Sequence, residues 1–138
     1  MPREYTTTRR VQFAETDMAG VMHFANYFRW MEEIEHEFFR SLGTSIMSTH
    51  EDKPIGWPRV RASCEYFGPV RFEDVVDVQM TITDLTEKSM TYEALFSCNG
   101  KRTARGRIKA VCCQMTDDSF QSIPIPDAIR DRIDTPNT

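Results

Sequence analysis

Residues 14–27 read Ala14-Glu15-Thr16-Asp17-Met18-Ala19-Gly20-Val21-Met22-His23-Phe24-Ala25-Asn26-Tyr27, the densest set of chemically useful groups in the chain. The run delivers a carboxylate to the start of a segment with helical periodicity. The first N–H groups of a helix lack intrahelical acceptors, and the helix dipole adds about half a positive charge there. A preorganised donor so placed stabilises an oxygen that gains negative charge in a transition state by about 3–4 kcal/mol. Asp17, swung over by Ala19-Gly20, could attack the same carbon or activate a water. The competing account is that an aspartate ahead of a helix is more often a cap or turn residue, with Gly20 supplying a positive φ. Phe24 stands seven positions beyond Asp17, too far for a direct cap on a helix that begins there. Spacing alone leaves both accounts open.

The elements that must position these groups are legible. From Phe24 to Leu42, the residues Phe24, Tyr27, Phe28, Met31, Ile34, Phe38, Phe39 and Leu42 recur at three- and four-residue steps, with Asn26, Arg29, Glu33, Glu37 and Arg40 opposite. Gly43 ends this helix, which its wide aromatic face predicts to be central and buried. Elsewhere the period is two. Strands are expected over 5–13, and along Val60-Ala62-Cys64-Tyr66, Val76-Val78-Met80-Ile82, Met90-Tyr92-Ala94-Phe96-Cys98 and Ala104-Gly106-Ile108-Ala110-Cys112. Asn99-Gly100 is a type I′ hairpin dipeptide, and Gly68-Pro69 and Asp84–Glu87 mark further turns. The tail reads as an extended Ile123-Pro124-Ile125-Pro126, a weak helical turn over Asp127–Ile133 and a frayed end. Strand, long helix and four antiparallel strands predict an α+β fold, one curved sheet wrapped around the helix. Its uncovered edge predicts a homodimer or homotetramer. The connection Thr44–Pro58 is long and borders the expected site.

Composition narrows the classes. The 138 residues fit a single domain spanning 1–138, with 40% hydrophobic and 28% charged residues, and are not those of a disordered chain. A net charge of −4 argues against general nucleic-acid binding. No apolar run is long enough to span a membrane and no export signal is visible, so a cytoplasmic protein is expected. Cys64, Cys98, Cys112 and Cys113 form no Cys-x-x-Cys pair and read as reduced, half-buried side chains. With His23, His36 and His50 scattered, no metal site is expected, and no Gly-rich phosphate loop or Gly-x-Ser-x-Gly elbow occurs.

The run Phe13-Ala14-Glu15-Thr16-Asp17-Met18-Ala19-Gly20-Val21-Met22-His23-Phe24-Ala25-Asn26-Tyr27-Phe28-Arg29-Trp30-Met31-Glu32-Glu33 resembles the motif of hot-dog-fold acyl-CoA thioesterases of the 4-hydroxybenzoyl-CoA thioesterase type. That group includes the bacterial Tol–Pal-associated thioesterases. The likeness continues through Cys64-Glu65-Tyr66-Phe67-Gly68-Pro69-Val70-Arg71-Phe72-Glu73-Asp74 and into the Ile123–Pro126 tail. It implies a hot-dog fold and hydrolysis of an acyl-CoA, or an acyl-carrier-protein thioester, without metal or redox cofactor. Asp17 corresponds to the family's catalytic carboxylate and the Phe24 backbone N–H to the donor that polarises the carbonyl. His23 stands beside the position where relatives carry a helper histidine. Gly20, Tyr27 and Glu32 also match family positions and are candidate substrate contacts. Lys88 and Ser89 fall where relatives meet the CoA phosphates, although Thr86 and Glu87 depart from the usual basic run. Aromatic and short or medium aliphatic acyl groups both fit. The alternatives are a hot-dog protein that binds an acyl thioester without cleaving it, and a hydroxyacyl-thioester dehydratase using His23 as base.

Two further features need an explanation. Glu35 falls within the apolar stripe, where a carboxylate must be paired, hydrogen-bonded or protonated. It is either a pocket carboxylate near the acyl group or, in preference, one that pairs with an arginine, such as one from a partner subunit, or sits at a stripe edge open to solvent. Arg105, Arg107 and Lys109 share one strand face by alternation, as do Arg59 and Arg61 on another strand. Such a face would suit CoA phosphates, or it is simply the solvated outside of a sheet.

Overall fold

The computed structural model describes residues 3–134. The chain begins with β1 (Glu4–Arg10), passes a 3₁₀ turn at Phe13–Glu15, and forms α1 (Asn26–Ser41). Then follow β2 (Ser48–His50), β3 (Lys53–Gly56), β4 (Arg59–Tyr66), β5 (Val75–Leu85), β6 (Ser89–Cys98) and β7 (Lys101–Val111). The chain closes with β8 (Cys113–Met115), β9 (Phe120–Ser122) and α2 (Asp127–Asp134). Five strands make an antiparallel sheet in the order β1-β5-β6-β7-β4. No helix among the described residues is long and apolar enough to cross a membrane.

The period-two segments lie in the sheet, except that the first ends at Arg10 and Phe13 begins the 3₁₀ turn, and their apolar faces meet α1. Val76, Val78, Met80 and Ile82 of β5, Met90, Tyr92, Ala94 and Phe96 of β6, and Ala104, Ile108 and Ala110 of β7 are all buried. Against them stand Tyr27, Trp30, Met31, Ile34, Phe38 and Phe39 of α1. Gly106 marks the closest approach of helix and sheet, because the Met31 thioether occupies the space that a side chain at Gly106 would need. Asn99 (φ 53°) and Gly100 (φ 78°) are both left-handed, as a type I′ turn requires. Gly43 (φ 81°) follows the last turn of α1, and Arg132 of α2 donates to the Leu42 carbonyl at 2.6 Å. The expected frayed end at 135–138 lies outside the described residues.

Three further expectations need correction. The helix starts at Asn26, two residues later than its apolar pattern suggests, and Phe24 is 60% exposed rather than part of the buried stripe. Segment 44–58 is not a bare connection: β2 and β3 join β8 and β9 in a second sheet ordered β2-β3-β8-β9. Strands of three or four residues are too short to show an alternating pattern. Lastly, Arg59 and Arg61 do not share a face. A register shift between them makes Val60 the extra residue of a bulge, so Arg59 pairs with the inward Ala110 and Arg61 with the outward Lys109.

The bulge answers the question of Glu35. That carboxylate is fully buried and takes both arms of the Arg59 guanidinium, Nη1 at 3.1 Å and Nη2 in a closer contact. Burial raises the Glu35 carboxyl above its ordinary range, and the Arg59 hydrogen bonds pull it back down. Arg59→Met should therefore cost about 3–5 kcal/mol by urea unfolding, since it strands a buried carboxylate. Adding Glu35→Leu should recover most of that loss, and a small effect of Arg59→Met alone would show that water reaches Glu35.

Candidate active site

The segment between β1 and α1 is folded as a small hairpin. Asp17 N–H donates to the Val21 carbonyl at 2.9 Å, Gly20 N–H donates to the Asp17 carbonyl at 3.0 Å, and Thr16 bridges to Met22. Asp17 Oδ1 accepts from the Ala19 N–H at 2.8 Å, an Asx turn, and Gly20 has the positive φ of 78° that closes it. Asp17 is thus a turn residue and not the cap of α1, whose N-cap is Ala25. Its side chain is exposed, at the mouth of an open depression of about 730 Å³ shared with Phe13, Met18, His23 and Asn26.

What ties this hairpin to the helix is Glu15, a residue that no sequence pattern singles out. Its carboxylate is buried, forms an ion pair with Arg29, and accepts from Trp30 Nε1 at 2.7 Å and from the Gln12 N–H at 2.8 Å. Its carbonyl accepts from the His23 N–H and from Asn26 Nδ2, both at 2.8 Å. One residue therefore holds both ends of the hairpin and the first turn of α1. The signal in the chain is Arg29 and Trp30, which stand 14 and 15 residues from Glu15 on the helix. No local periodicity links them to it.

At the helix start the donors are almost all used. Asn26 N–H reaches the His23 carbonyl at 3.0 Å, Tyr27 N–H the Phe24 carbonyl at 3.2 Å, and Ala25 N–H the His23 Nδ1 at 3.2 Å. The Phe24 N–H has no acceptor among the described residues. An exposed carboxylate lines the depression, and the unused donor of Phe24 follows His23, another of its lining residues; a carboxylate and a free N–H are the two groups that addition to a carbonyl requires. His23 serves the fold of this turn, since its Nδ1 caps Ala25 and its ring stacks on Phe24 with centroids 4.7 Å apart. That bond implies the tautomer with its proton on Nε2, which leaves no ring lone pair for a base.

Behind Phe24 the rings continue inward. Phe24 meets Tyr66 edge-on at 6.2 Å, Tyr66 meets Tyr27 at 5.6 Å, and Tyr27 meets Phe96 at 4.9 Å. Tyr66 Oη lies 3.4 Å from the Phe24 carbonyl, and burial pushes its pKa up to about 12, so it remains a donor.

A profile of the thioesterase-like superfamily matches residues 11–133. The chain belongs to this superfamily. A 1,4-dihydroxy-2-naphthoyl-CoA hydrolase of Prochlorococcus marinus (strain NATL2A) is 32% identical over 118 residues, 80% of this chain and 76% of the relative. The solved structure of a gentisyl-coenzyme A thioesterase is 34% identical, with a TM-score of 0.81 over 94% of this chain and 99% of the other. A 4-hydroxybenzoyl-CoA thioesterase variant complexed with 4-hydroxybenzoyl-CoA has a TM-score of 0.84 over 95% and 99% at 19% identity, a likeness of fold alone. The architecture of one long helix in a curled antiparallel sheet is the hot-dog fold of these thioesterases.

This thioesterase-like chain does not gather every residue that the resemblance pointed to. Asp17 and His23 line the depression ahead of the helix, Gly20 closes the Asp17 turn, and Phe24 stacks on His23. Tyr27 is buried behind them, whereas Glu32 is exposed and lies 3.9 Å from Arg59. Lys88 and Ser89 follow the far end of β5, whose eleven residues run about 30 Å from the Asp17 end. Ser89 is buried, with its hydroxyl 2.6 Å from that of Thr86. Arg105 and Arg107 face outward and have carboxylate partners, Glu65 and Glu93, each at 2.9 Å. Within one chain these four do not adjoin Asp17.

Glu15→Ala would leave the Trp30 Nε1–H and the Gln12 N–H without an acceptor, a cost of about 1–3 kcal/mol for each group that stays buried. Amide hydrogen exchange at Asp17 and Gly20 should then accelerate well beyond the change at β6. Unchanged protection at those two amides would show that the hairpin holds its shape without the anchor.

Proposed function

We propose that the chain cleaves an acyl-CoA thioester at the helix start, with Asp17 and the Phe24 N–H as its working groups. It is an acyl-CoA thioesterase, as its superfamily and its relatives' names support. The observation that carries the assignment of residues is the pairing of an exposed carboxylate with a backbone donor that the helix start leaves unused. The thioester oxygen sits on the Phe24 N–H, which gains strength as that oxygen becomes an oxyanion. Asp17 either attacks the carbonyl carbon, giving an anhydride that water then opens, or takes a proton from the water that attacks. In both routes the C–S bond breaks and the acyl group departs as its carboxylic acid: in the first the sulfur leaves as a thiolate that solvent protonates, and in the second it takes the water proton held on Asp17. The dehydratase alternative has less support, because His23 Nδ1 is committed to the Ala25 N–H.

The same proposal includes a two-fold dimer through β4. This edge strand carries Ala62, Cys64 and Tyr66 on the inner face of the sheet, and Ala62 and Tyr66 remain exposed, Tyr66 at 45%. Phe24 and Phe67 extend the apolar surface. An antiparallel β4–β4 contact satisfies the open edge and covers these rings. It also turns the second copy end for end, which carries that copy's Lys88 end toward the Asp17 end of the first. A site shared across the two-fold could then use a cation that one chain holds far away.

Asp17→Asn keeps the Asx turn and should melt close to the parent, while kcat for acyl-CoA hydrolysis falls by about two orders of magnitude or more, on the order of 3 kcal/mol in the barrier. Asn activity within a few-fold of the parent would remove Asp17 from the chemistry. Light scattering at micromolar concentration should give at least twice the chain mass of 16.1 kDa. A fully active monomer would refute the shared site.

A further inference from the structure

Two backbone donors stand just ahead of α1, and only one of them is free. The Ala25 N–H is taken by the His23 ring, Nδ1 accepting at 3.2 Å, whereas the Phe24 N–H has no acceptor among the described residues. A side chain that accepts from the N–H two positions further on closes a turn of the Asx kind. Asp17 closes such a turn on the Ala19 N–H at 2.8 Å in the same hairpin. His23 makes the corresponding bond with an imidazole, and it does so around the one donor left unused.

Two peptide units meet at the Phe24 Cα, and their orientation decides where its N–H points. The first joins the His23 carbonyl to the Phe24 N–H. That carbonyl accepts from the Asn26 N–H at 3.0 Å, and the His23 N–H is anchored on the Glu15 carbonyl at 2.8 Å. A bond to the carbonyl of a peptide unit also polarises the unit and strengthens its N–H as a donor. The second joins the Phe24 carbonyl to the Ala25 N–H. Its carbonyl accepts from the Tyr27 N–H at 3.2 Å, and its N–H is held by His23 Nδ1. The imidazole in turn lies against the Phe24 ring, with 25° between the planes. His23 and Ala25 are both exposed, so without Nδ1 the Ala25 N–H would open to water. The second unit could then turn, or offer a rival donor to a bound carbonyl.

With the thioester oxygen on the Phe24 N–H, as proposed above, we propose that His23 is the residue that positions this donor. It acts through Nδ1 as a hydrogen-bond acceptor, and not as a base or a nucleophile. By occupying the Ala25 N–H it holds the turn 23–26 in one shape and leaves the Phe24 N–H to the oxyanion. A displacement of about 1 Å at a working group can lower a rate by up to ~100-fold. The loss falls on kcat more than on KM, because the bond to the oxygen strengthens as negative charge develops there.

Three substitutions separate the acceptor from the ring. His23→Asn keeps an acceptor, since Oδ1 stands the same two bonds from Cβ as Nδ1, and removes the ring. His23→Phe keeps the stacked ring and removes the acceptor, and His23→Ala removes both. In acyl-CoA hydrolysis by the full chain, His23→Phe and His23→Ala should each lower kcat by roughly ten-fold or more, with KM changed by less than about three-fold. His23→Asn should recover most of that loss, at a melting temperature close to that of His23→Phe. Activity that follows the ring instead of the acceptor, loss in all three variants, or loss in none would overturn the proposal. The donor itself is read from the Phe24 amide proton on adding a ketone analogue of an acyl-CoA, with a methylene between carbonyl and sulfur. Its resonance should move downfield in the parent and in His23→Asn, and clearly less in His23→Phe. A full shift in His23→Phe would overturn this inference and leave the Phe24 assignment standing. A Phe24 amide that does not respond to the bound analogue in the parent would overturn that assignment, and this inference with it.

Discussion

A helix of 16 residues whose buried side chains include Trp30, Met31, Ile34, Phe38 and Phe39 can be covered by one five-stranded sheet only if the sheet curls around it. The curl sets the rest. It brings β7 so near the helix axis that Gly106 must yield its side-chain space to Met31. It also places Glu35 where no water reaches, so an arginine has to come to it. The bulge at Val60 supplies that arginine by turning Arg59 inward while the rest of β4 keeps its alternation. A buried ion pair of this kind adds little net stability against an apolar substitute, but losing one partner is costly. Its effect is to bind the edge strand to the helix.

The same geometry explains why the two ends of α1 differ. The C-terminal end of α1 is closed by Gly43 and by Arg132, which satisfies a last-turn carbonyl. The N-terminal end is left open, and Glu15 holds the chain there with both its carboxylate and its carbonyl. That anchor needs Arg29 and Trp30 from the helix, so the hairpin bearing Asp17 takes its shape only once the helix is docked. Donor and carboxylate are thus positioned by one buried residue that itself faces away from the depression. Inward from Phe24 the rings of Tyr66, Tyr27 and Phe96 follow one another in edge-on contact.

Charge on the outer face of the sheet follows a different logic. Arg105 and Arg107 stand opposite Glu65 and Glu93 on neighbouring strands, and exposed, solvent-screened pairs of this kind contribute little to stability. They keep a solvated face soluble and balanced. A face already paired in this way is a weaker anion site than the sequence alternation suggests.

Much was legible in the residues because it depends on local pattern. The strands at 76–82, 90–98 and 104–111 and the helix up to Gly43 follow from periodicity, and the Asn99-Gly100 turn from its backbone preference. The likeness around Asp17 was legible because the carboxylate, Gly20 and the helix start are close in sequence. What the linear chain could not show are the contacts between distant residues and the places where a ladder slips by one. Only tertiary packing brought Arg59 to Glu35 across 24 residues and Glu15 beneath Trp30. A single bulge reverses which face a side chain takes, and its cost is recovered from partners on other strands, so no period-two reading of one segment can find it.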